Sequence, residues 1–239
     1  MLFLPRMLLM AVNFFVAGTL GLLVSLLRPF NPANGTLSAK LYAWPTRYIL
    51  GMRVRADVRS LQDLTGPCVL VGNHQSNYDL FLFGNVIPPR TVAIGKKSLK
   101  WVPLFGTLFW LAGNVLVERE NAYKARKALQ RVTDTLRHRN ASIWVFPEGT
   151  RNTGSELLPF KKGAFQMAIA AGVPVVPVCM SRYPGTLDLN RWRSGEILIR
   201  SLPPISTTGL TTDDIAQLAL RCREQMQACI DELDRQTAG

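Results

Sequence analysis

The residues of this chain best suited to proton transfer are His74 and Asp79, which stand five positions apart. His74 comes one residue beyond the apolar run Val69–Gly72, which predicts a buried strand. Ligands of open α/β sheets bind at the carboxyl ends of strands, where a tight turn can bring the carboxylate back to the imidazole. Asp79 would then keep one ring nitrogen protonated and leave the other free as a general base. We therefore predict a catalytic pair at these two positions.

A protein nucleophile is not evident beside this pair. The sequence contains no Gly-x-Ser-x-Gly elbow, so a hydroxyl group supplied by the substrate would complete the chemistry. The second histidine, His138, lies in a basic stretch at the polar end of a predicted helix, where we expect it to be solvated. The cysteines and histidines do not have metal-ligand spacing, and we predict no metal site.

A second polar group, formed by Glu148, Gly149, Thr150 and Arg151, follows the apolar run Ile143–Phe146. Gly149 permits close approach of the backbone, and the planar fork of Arg151 suits a phosphate. Glu148 could accept hydrogen bonds from an arginine or from a substrate hydroxyl. An ordinary β-turn with a surface ion pair is the alternative.

Further basic side chains at Lys96, Lys97 and Arg119 fall in predicted loops, where solvation alone explains them. The net charge of +12 favours an anionic partner, which can be nucleic acid, an acidic lipid surface or a phosphorylated substrate. The sequence has no helix-turn-helix or zinc-finger spacing, and a nucleic-acid binder would leave His74 and Asp79 unexplained. We expect no nucleic-acid partner.

The elements that must position these groups alternate between short apolar runs and helical periods. The runs predict strands at Cys68–Gly72, Thr91–Ile94, Val115–Val117, Ile143–Phe146, Val173–Val178 and 196–201, and the periods predict helices over 122–139, Gly163–Ala171 and from Ile215 to Leu233. We expect the prolines of Val173–Val178 at the start of a strand or in an edge strand. The alternation predicts an α/β fold with a mostly parallel central sheet flanked by helices.

The N-terminal segment differs from the rest of the chain. Met7 to Leu27 carries no charge and exceeds the roughly 20 residues that cross a bilayer. A signal peptide is disfavoured because its apolar region spans about 7–15 residues, whereas a long buried helix stays open. Residues 37–52 mix aromatic and basic side chains, as interfacial segments do. We predict a membrane-inserted helical hairpin over 1–52, followed by an α/β domain over 53–239.

Four stretches of the chain together resemble the glycerolphosphate acyltransferase family, in their order and in their spacing. They are Asn73–Asp79, Gly95–Gly106, Phe146–Arg151 and Val173–Pro177. The resemblance implies that His74 deprotonates an acceptor hydroxyl, oriented by Asp79, and that this hydroxyl attacks an acyl thioester without an acyl-enzyme. It also implies a phosphate site built from Lys96, Lys97, Arg119, Glu148, Gly149, Thr150 and Arg151. Asn152 departs from the family, where a serine is often found.

The resemblance is strongest to the bacterial members that act on 1-acyl-glycerol 3-phosphate. It implies a membrane lipid substrate, acyl-CoA or acyl-carrier protein as the donor, and no cofactor. It implies residence in a bacterial inner membrane with an anionic surface, with the catalytic domain facing the cytoplasm, where four unpaired cysteines would stay reduced. Glycerol 3-phosphate or a lyso-aminolipid as the acceptor is the alternative, and hydrolysis of the thioester is a more distant one.

Overall fold

A computed structural model of the chain describes residues 1–118, 130, 132–134, 136 and 138–237. Within these residues seven strands form one sheet in the order β1-β7-β6-β2-β5-β3-β4. They are β1 (Met52–Asp57), β2 (Val69–Gly72), β3 (Thr91–Lys96), β4 (Val115–Val117), β5 (Ser142–Val145), β6 (Val175–Met180) and β7 (Gly195–Ser201). Five neighbouring strands are parallel to one another: β6, β2, β5, β3 and β4. β7 runs antiparallel to β6 and parallel to β1. The predicted α/β fold with a mostly parallel sheet is confirmed.

Helices cover both faces of this sheet. The described helices are α1 (Phe3–Leu27), α2 (Ala33–Ile49), α3 (Arg59–Gln62), α4 (Asp79–Phe83), α5 (Phe105–Leu111), α6 (Gly163–Ala171) and α7 (Ile215–Thr237), with 3₁₀ turns at Lys97–Trp101 and Thr212–Asp214. The predictions of α6 and α7 are confirmed, and α6 ends at Gly172, whose φ of +67° favours glycine. The helix predicted over 122–139 lies largely outside the described residues, and so does Arg119.

Alternate residues of the central strands enter separate cores. Val71 belongs to the core under α6 and α7, which also contains Phe165 and Met226. Leu70 belongs to the core on the opposite face, with Trp144 and Met180. Neighbours along a strand point to opposite faces, and both faces are covered here. The strands therefore read as continuous apolar runs, which is why the sequence reveals them.

Two details of the sheet differ from expectation. The edge strand β1 was not predicted, because its alternating arginines, Arg53 and Arg55, make it polar; both pair with Glu196 of β7. The expected placement of prolines is wrong for Pro177, which lies inside β6, between β7 and β2. The Pro177 carbonyl accepts from the N–H of Leu202 (2.9 Å), just beyond the end of β7. Its missing N–H therefore faces the side where the ladder to β7 has ended, and pairing with β2 is not interrupted.

The hairpin α1–α2 packs across the face of the sheet opposite α7. The buried residues of α1 are small or polar: Arg6, Asn13, Ala17, Gly18, Gly21 and Ser25. Asn13 donates to the Tyr42 carbonyl (3.1 Å) and to the Thr46 hydroxyl (3.2 Å) of α2. A Cβ on Gly18 would lie 2.5 Å from Leu104 and 2.8 Å from the Tyr42 hydroxyl, so the close contact of these elements requires glycine. Met7, Met10 and Phe14 pack inward against the cores, whereas most of the other large apolar side chains of α1 point outward.

Candidate active site

His74 and Asp79 meet at the carboxyl end of β2. The Nδ1 atom of His74 lies 2.7 Å from Oδ2 of Asp79, the first residue of α4. The same oxygen accepts from the backbone N–H groups of Gln75 (2.5 Å) and Ser76 (2.9 Å), so the carboxylate is fixed in the turn. Because a carboxylate accepts, this geometry requires a hydrogen on Nδ1, and the neutral imidazole then has its lone pair on Nε2. The His74 side chain is 21% exposed while Asp79 is fully buried, so the imidazole remains accessible to a substrate.

The loop that carries His74 is clamped to the end of β6. The buried amide of Asn73 donates to the Met180 carbonyl (2.9 Å) and accepts from the Met180 N–H (2.9 Å). Gln75 donates to the Ser181 carbonyl (3.0 Å) and accepts from the Tyr183 N–H (3.2 Å). These amide side chains copy the pairing of a strand where the sheet has ended. Their position directly after an apolar strand is the only sequence signal of this role.

Tyr183 is a second member of the site that sequence reasoning missed. Its hydroxyl donates to Oδ1 of Asp79, the carboxylate oxygen that does not face His74. Burial, followed by the neighbouring Asp79 carboxylate, raises the pKa of Tyr183 well above its ordinary value. The two residues are 104 positions apart, and nothing in the sequence near Tyr183 links it to Asp79.

The turn after β5 forms the neighbouring wall. The ring of Phe146 stacks on the His74 imidazole, with centroids 4.2 Å apart. Gly149 has a φ of +75° and donates to the Phe146 carbonyl (3.1 Å), which closes a turn that favours glycine. The backbone then returns to the His74 loop, where the Asn152 N–H donates to the His74 carbonyl (2.7 Å).

Glu148 lies inside this wall, 2% exposed. Its Oε1 accepts from the His74 N–H (3.0 Å), and its Oε2 accepts from the Asn152 amide (2.9 Å) and the Leu158 N–H (3.1 Å). Protein donors therefore occupy both oxygens that the sequence assigned to substrate contact. The geometry favours a positioning role, in which one buried carboxylate joins the His74 loop to the segment after β5. Asn152, the departure from the family pattern, takes part in this network.

Thr150 and Arg151 are exposed at the rim of the site. The Arg151 guanidinium donates to the Asn77 side chain (3.2 Å), which places a positive charge beside the His74 loop. Lys96 and Lys97 lie at the carboxyl end of β3, which neighbours β5, so they share this edge of the sheet one strand further out. Lys97 pairs with Glu118 (2.6 Å). Among the described residues, no three potential metal ligands cluster together.

An apolar cavity of about 400 Å³ lies next to the loop that carries His74 and Asp79. It reaches Phe146, on which His74 stacks, and Asn77, which accepts from Arg151. It extends between the sheet and the helices α2, α4 and α5. Most of its lining is apolar, including Leu80, Phe81, Ala93, Phe105, Leu108 and Ala112. Five or more elements contribute to this wall, which is why the sequence alone did not reveal it.

Comparison with known proteins gives a consistent result. A family model described as "Acyltransferase" matches residues 53–181. A Haemophilus influenzae protein named 1-acyl-sn-glycerol-3-phosphate acyltransferase is 39% identical over all of this chain and 99% of its own length. The Escherichia coli protein of the same name is 38% identical over the whole chain and 97% of its own length. The solved 1-acyl-sn-glycerophosphate acyltransferase of Thermotoga maritima shares the fold, with a TM-score of 0.75, 22% identity and 98% coverage of both chains.

Proposed function

The chain belongs to the acyltransferase family, and we propose that it transfers a fatty acyl chain from an acyl thioester to the sn-2 hydroxyl of 1-acyl-glycerol 3-phosphate. The product is phosphatidic acid, an intermediate of phospholipid synthesis. The names of its full-length bacterial relatives support this acceptor. The observation that carries the proposal is the apolar cavity that begins at the ring stacked on His74, because an acyl chain held there ends beside the base.

In the proposed reaction, Nε2 of His74 removes the proton of the acceptor hydroxyl as its oxygen attacks the thioester carbonyl. The Asp79 carboxylate, 2.7 Å from Nδ1, stabilises the imidazolium that forms. The tetrahedral intermediate then collapses, the carbon–sulfur bond breaks, and the imidazolium returns the proton to the departing thiolate. The products are the new ester and the free thiol, and no acyl-enzyme forms.

The proposed phosphate contact is Arg151, whose guanidinium stands at the rim beside Asn77. Thr150 and the backbone at Gly149 shape the same turn, while Lys96 and Lys97 add positive charge along this edge of the sheet. Arg119, which lies outside the described residues, completes this group by family resemblance. Glu148 acts in the proposal by holding the His74 N–H and not by touching the lipid.

We propose that the hairpin over 1–52 inserts in a membrane and that 53–239 forms the catalytic domain. In the described chain, Phe3–Leu27 is the helix long and apolar enough to cross a bilayer. Trp44 and Tyr48 of α2 are exposed, and the Arg47 guanidinium lies 4.6 Å from the Tyr48 ring centre. Aromatic and basic side chains together suit the headgroup layer of an anionic membrane. The placement proposed is the bacterial inner membrane, with the domain facing the cytoplasm.

The donor is proposed to be acyl-CoA or acyl-carrier protein, whose phosphates or acidic surface complement the net charge of +12. The test is purified full-length protein in detergent, assayed for thiol release and lipid product. Lysophosphatidate, glycerol 3-phosphate and a lyso-aminolipid are each paired with both donors. We expect product only with lysophosphatidate. Preference for another acceptor would move the protein within the family, and thiol release without any acceptor would make it a hydrolase.

A further inference from the structure

Each oxygen of the Asp79 carboxylate has its own set of donors. Oδ2 faces the imidazole and the N–H groups of Gln75 and Ser76, all within the same turn. Oδ1 receives the hydroxyl of Tyr183, which comes from the segment after β6. Asp79 is fully buried, so this hydroxyl stands where water would otherwise be needed.

Tyr183 is held in place from several sides. Its ring is 2% exposed and belongs to the core beneath the hairpin. Its N–H donates to Gln75 (3.2 Å), and its carbonyl accepts from the Thr186 hydroxyl (2.9 Å). Because the pKa of Tyr183 is raised, the phenol keeps its proton at physiological pH. It is therefore a rigid and permanent donor to the carboxylate.

We propose that Tyr183 is a positioning residue that sets the basicity of His74 through Asp79. A donor on Oδ1 draws negative charge away from Oδ2, which weakens the attraction between the carboxylate and the imidazolium. It also stops the carboxylate from rotating about its side-chain bond. This inference rests on the proposed function, in which His74 is the base.

The Ser76 side chain contacts Tyr183 itself, and the other polar groups described around the pair make different contacts. Glu148 binds the backbone N–H of His74, and Arg151 binds Asn77 at the rim. Tyr78, adjacent to Asp79, points its hydroxyl toward the Met7 sulfur of α1 (3.9 Å). Tyr78→Phe thus removes a nearby phenol that does not contact Asp79, and it is a matched control for Tyr183→Phe.

The first experiment does not depend on activity. The chain has only two histidines, so imidazole resonances can be followed by NMR in full-length protein in micelles, and His138→Gln assigns them. Tyr183→Phe should move the titration midpoint of His74 upward by about half a pH unit, within the one-unit spread common in folded proteins. Tyr78→Phe should leave it unchanged. An unchanged midpoint in Tyr183→Phe, or an equal shift in both variants, overturns the proposal.

The second experiment measures acyl transfer against pH in the same proteins. Tyr183→Phe should lower kcat about tenfold at neutral pH, less than loss of the base itself (about 10²–10⁴-fold). The acid limb of kcat/KM should move upward with the NMR midpoint, and the acceptor KM should stay within about twofold, since only an interaction around the base is changed. In the Asp79→Asn background the second substitution should have no further effect on kcat. An equal loss in that background would overturn action through Asp79.

Failure of the proposed function can be distinguished from failure of the proposed role of Tyr183. If the unchanged protein transfers no acyl group, the proposed function falls, while the NMR titration still decides whether Tyr183 governs His74. If the unchanged protein is active and Tyr183→Phe matches it in rate and in midpoint, only this inference falls. Thermal unfolding of each variant checks that the near-isosteric change leaves the fold intact. If Tyr183→Phe is destabilised, the comparison of Asp79→Asn with and without Tyr183→Phe decides the proposal.

Discussion

The two longest described helices, α1 with 25 residues and α7 with 23, bury opposite kinds of side chain. The buried positions of α7 are apolar, among them Leu218, Met226 and Ile230, and most of its exposed positions are polar. The buried positions of α1 are small or polar, and its exposed side chains include Leu4, Leu8, Val12, Phe15, Val16, Leu20, Leu23 and Leu27. The helices cover opposite faces of one sheet, so the difference lies in what surrounds them. Water suits the outer face of α7, and a lipid phase suits that of α1.

The helix ends show the same contrast. The 3₁₀ turn that leads into α7 carries a capping box, in which Thr211 accepts from the Asp213 N–H (3.3 Å) and Asp214 accepts from the Thr211 N–H (2.7 Å). At the start of α1, the described residues show no side-chain cap on Leu2. Arg6, one turn later, instead donates to the carbonyls of Leu189 and Trp192 (both 2.8 Å) and ties the helix to the segment before β7. The start of the hairpin is therefore tied to the loop between β6 and β7.

The largest effect is expected from a substitution at His74, which belongs to neither α1 nor α7. His74 lies at the sheet edge between the two faces, and His74→Ala should reduce acyl transfer by about 10²–10⁴-fold, because general-base help is lost. Membrane attachment and the melting temperature should stay unchanged. His138→Ala, on an exposed side chain, is the matched control and should keep full activity. Near-normal turnover by His74→Ala would refute the mechanism.

One matched pair of substitutions tests whether α1 faces lipid while α7 faces water. Val16 of α1 is 53% exposed and Leu220 of α7 is 52% exposed, so in water Asp should be tolerated equally at both. If α1 lies in lipid, Val16→Asp should weaken membrane partitioning about a hundredfold, since a carboxylate at a helix centre costs roughly 2.5–3.5 kcal/mol. Leu220→Asp should change it less than about twofold.

The membrane partitioning of the two Asp variants is measured by vesicle flotation and by resistance to extraction. High salt should fail to remove the unaltered protein from membranes, whereas detergent should release it, because salt screens charges and leaves apolar insertion intact. A chain starting near Arg53 should attach only weakly and in a salt-sensitive way. Equal behaviour of the two Asp variants would mean that α1 faces water as α7 does.

A smaller effect is expected at Arg151, which lies beyond the carboxyl end of β5 and contacts the His74 loop. Arg151→Ala should raise the acceptor KM about tenfold with little change in kcat, because the phosphate is held in ground and transition states alike. Arg151→Lys should recover only part of the affinity, since lysine lacks the bidentate fork. Initial rates over a range of lysophosphatidate concentrations decide this, and an unchanged KM in both variants would remove Arg151 from the phosphate site.

The smallest effect should be confined to the water-facing helix. Thr211→Ala removes the cap before α7 and should lower the free energy of unfolding by about 1 kcal/mol. The hydrogen bonds with Thr211 lower the pKa of Asp214, so its contribution is present above the unfolded-state pKa and is lost as pH falls through the folded-state value. Acid titration of the melting temperature should therefore show less loss in Thr211→Ala. Turnover and membrane attachment should not move, and a drop in either would show that α7 does more than cover the sheet.

The sequence by itself determined the parts of this protein that depend on local pattern. Buried strands such as β2 and β5 were predicted because both faces of the sheet are covered, which makes their runs continuously apolar. The bounds of α6 followed from its apolar period and from Gly172. His74 and Asp79 were found because they are only five positions apart along the chain. The polar edge strand β1 escaped because water solvates one of its faces.

Only the tertiary structure decided which distant side chains complete the site. Tyr183 and Asp79 are 104 positions apart, and a tyrosine can be buried in a core without any contact to a carboxylate. Glu148 could bind a substrate by its residue type, and only the three donors around it reveal that its oxygens are already occupied. The cavity is drawn from elements spread along the chain. Such contacts arise when packing brings separate elements together, and that packing depends on all of them at once, so no local stretch of sequence encodes it.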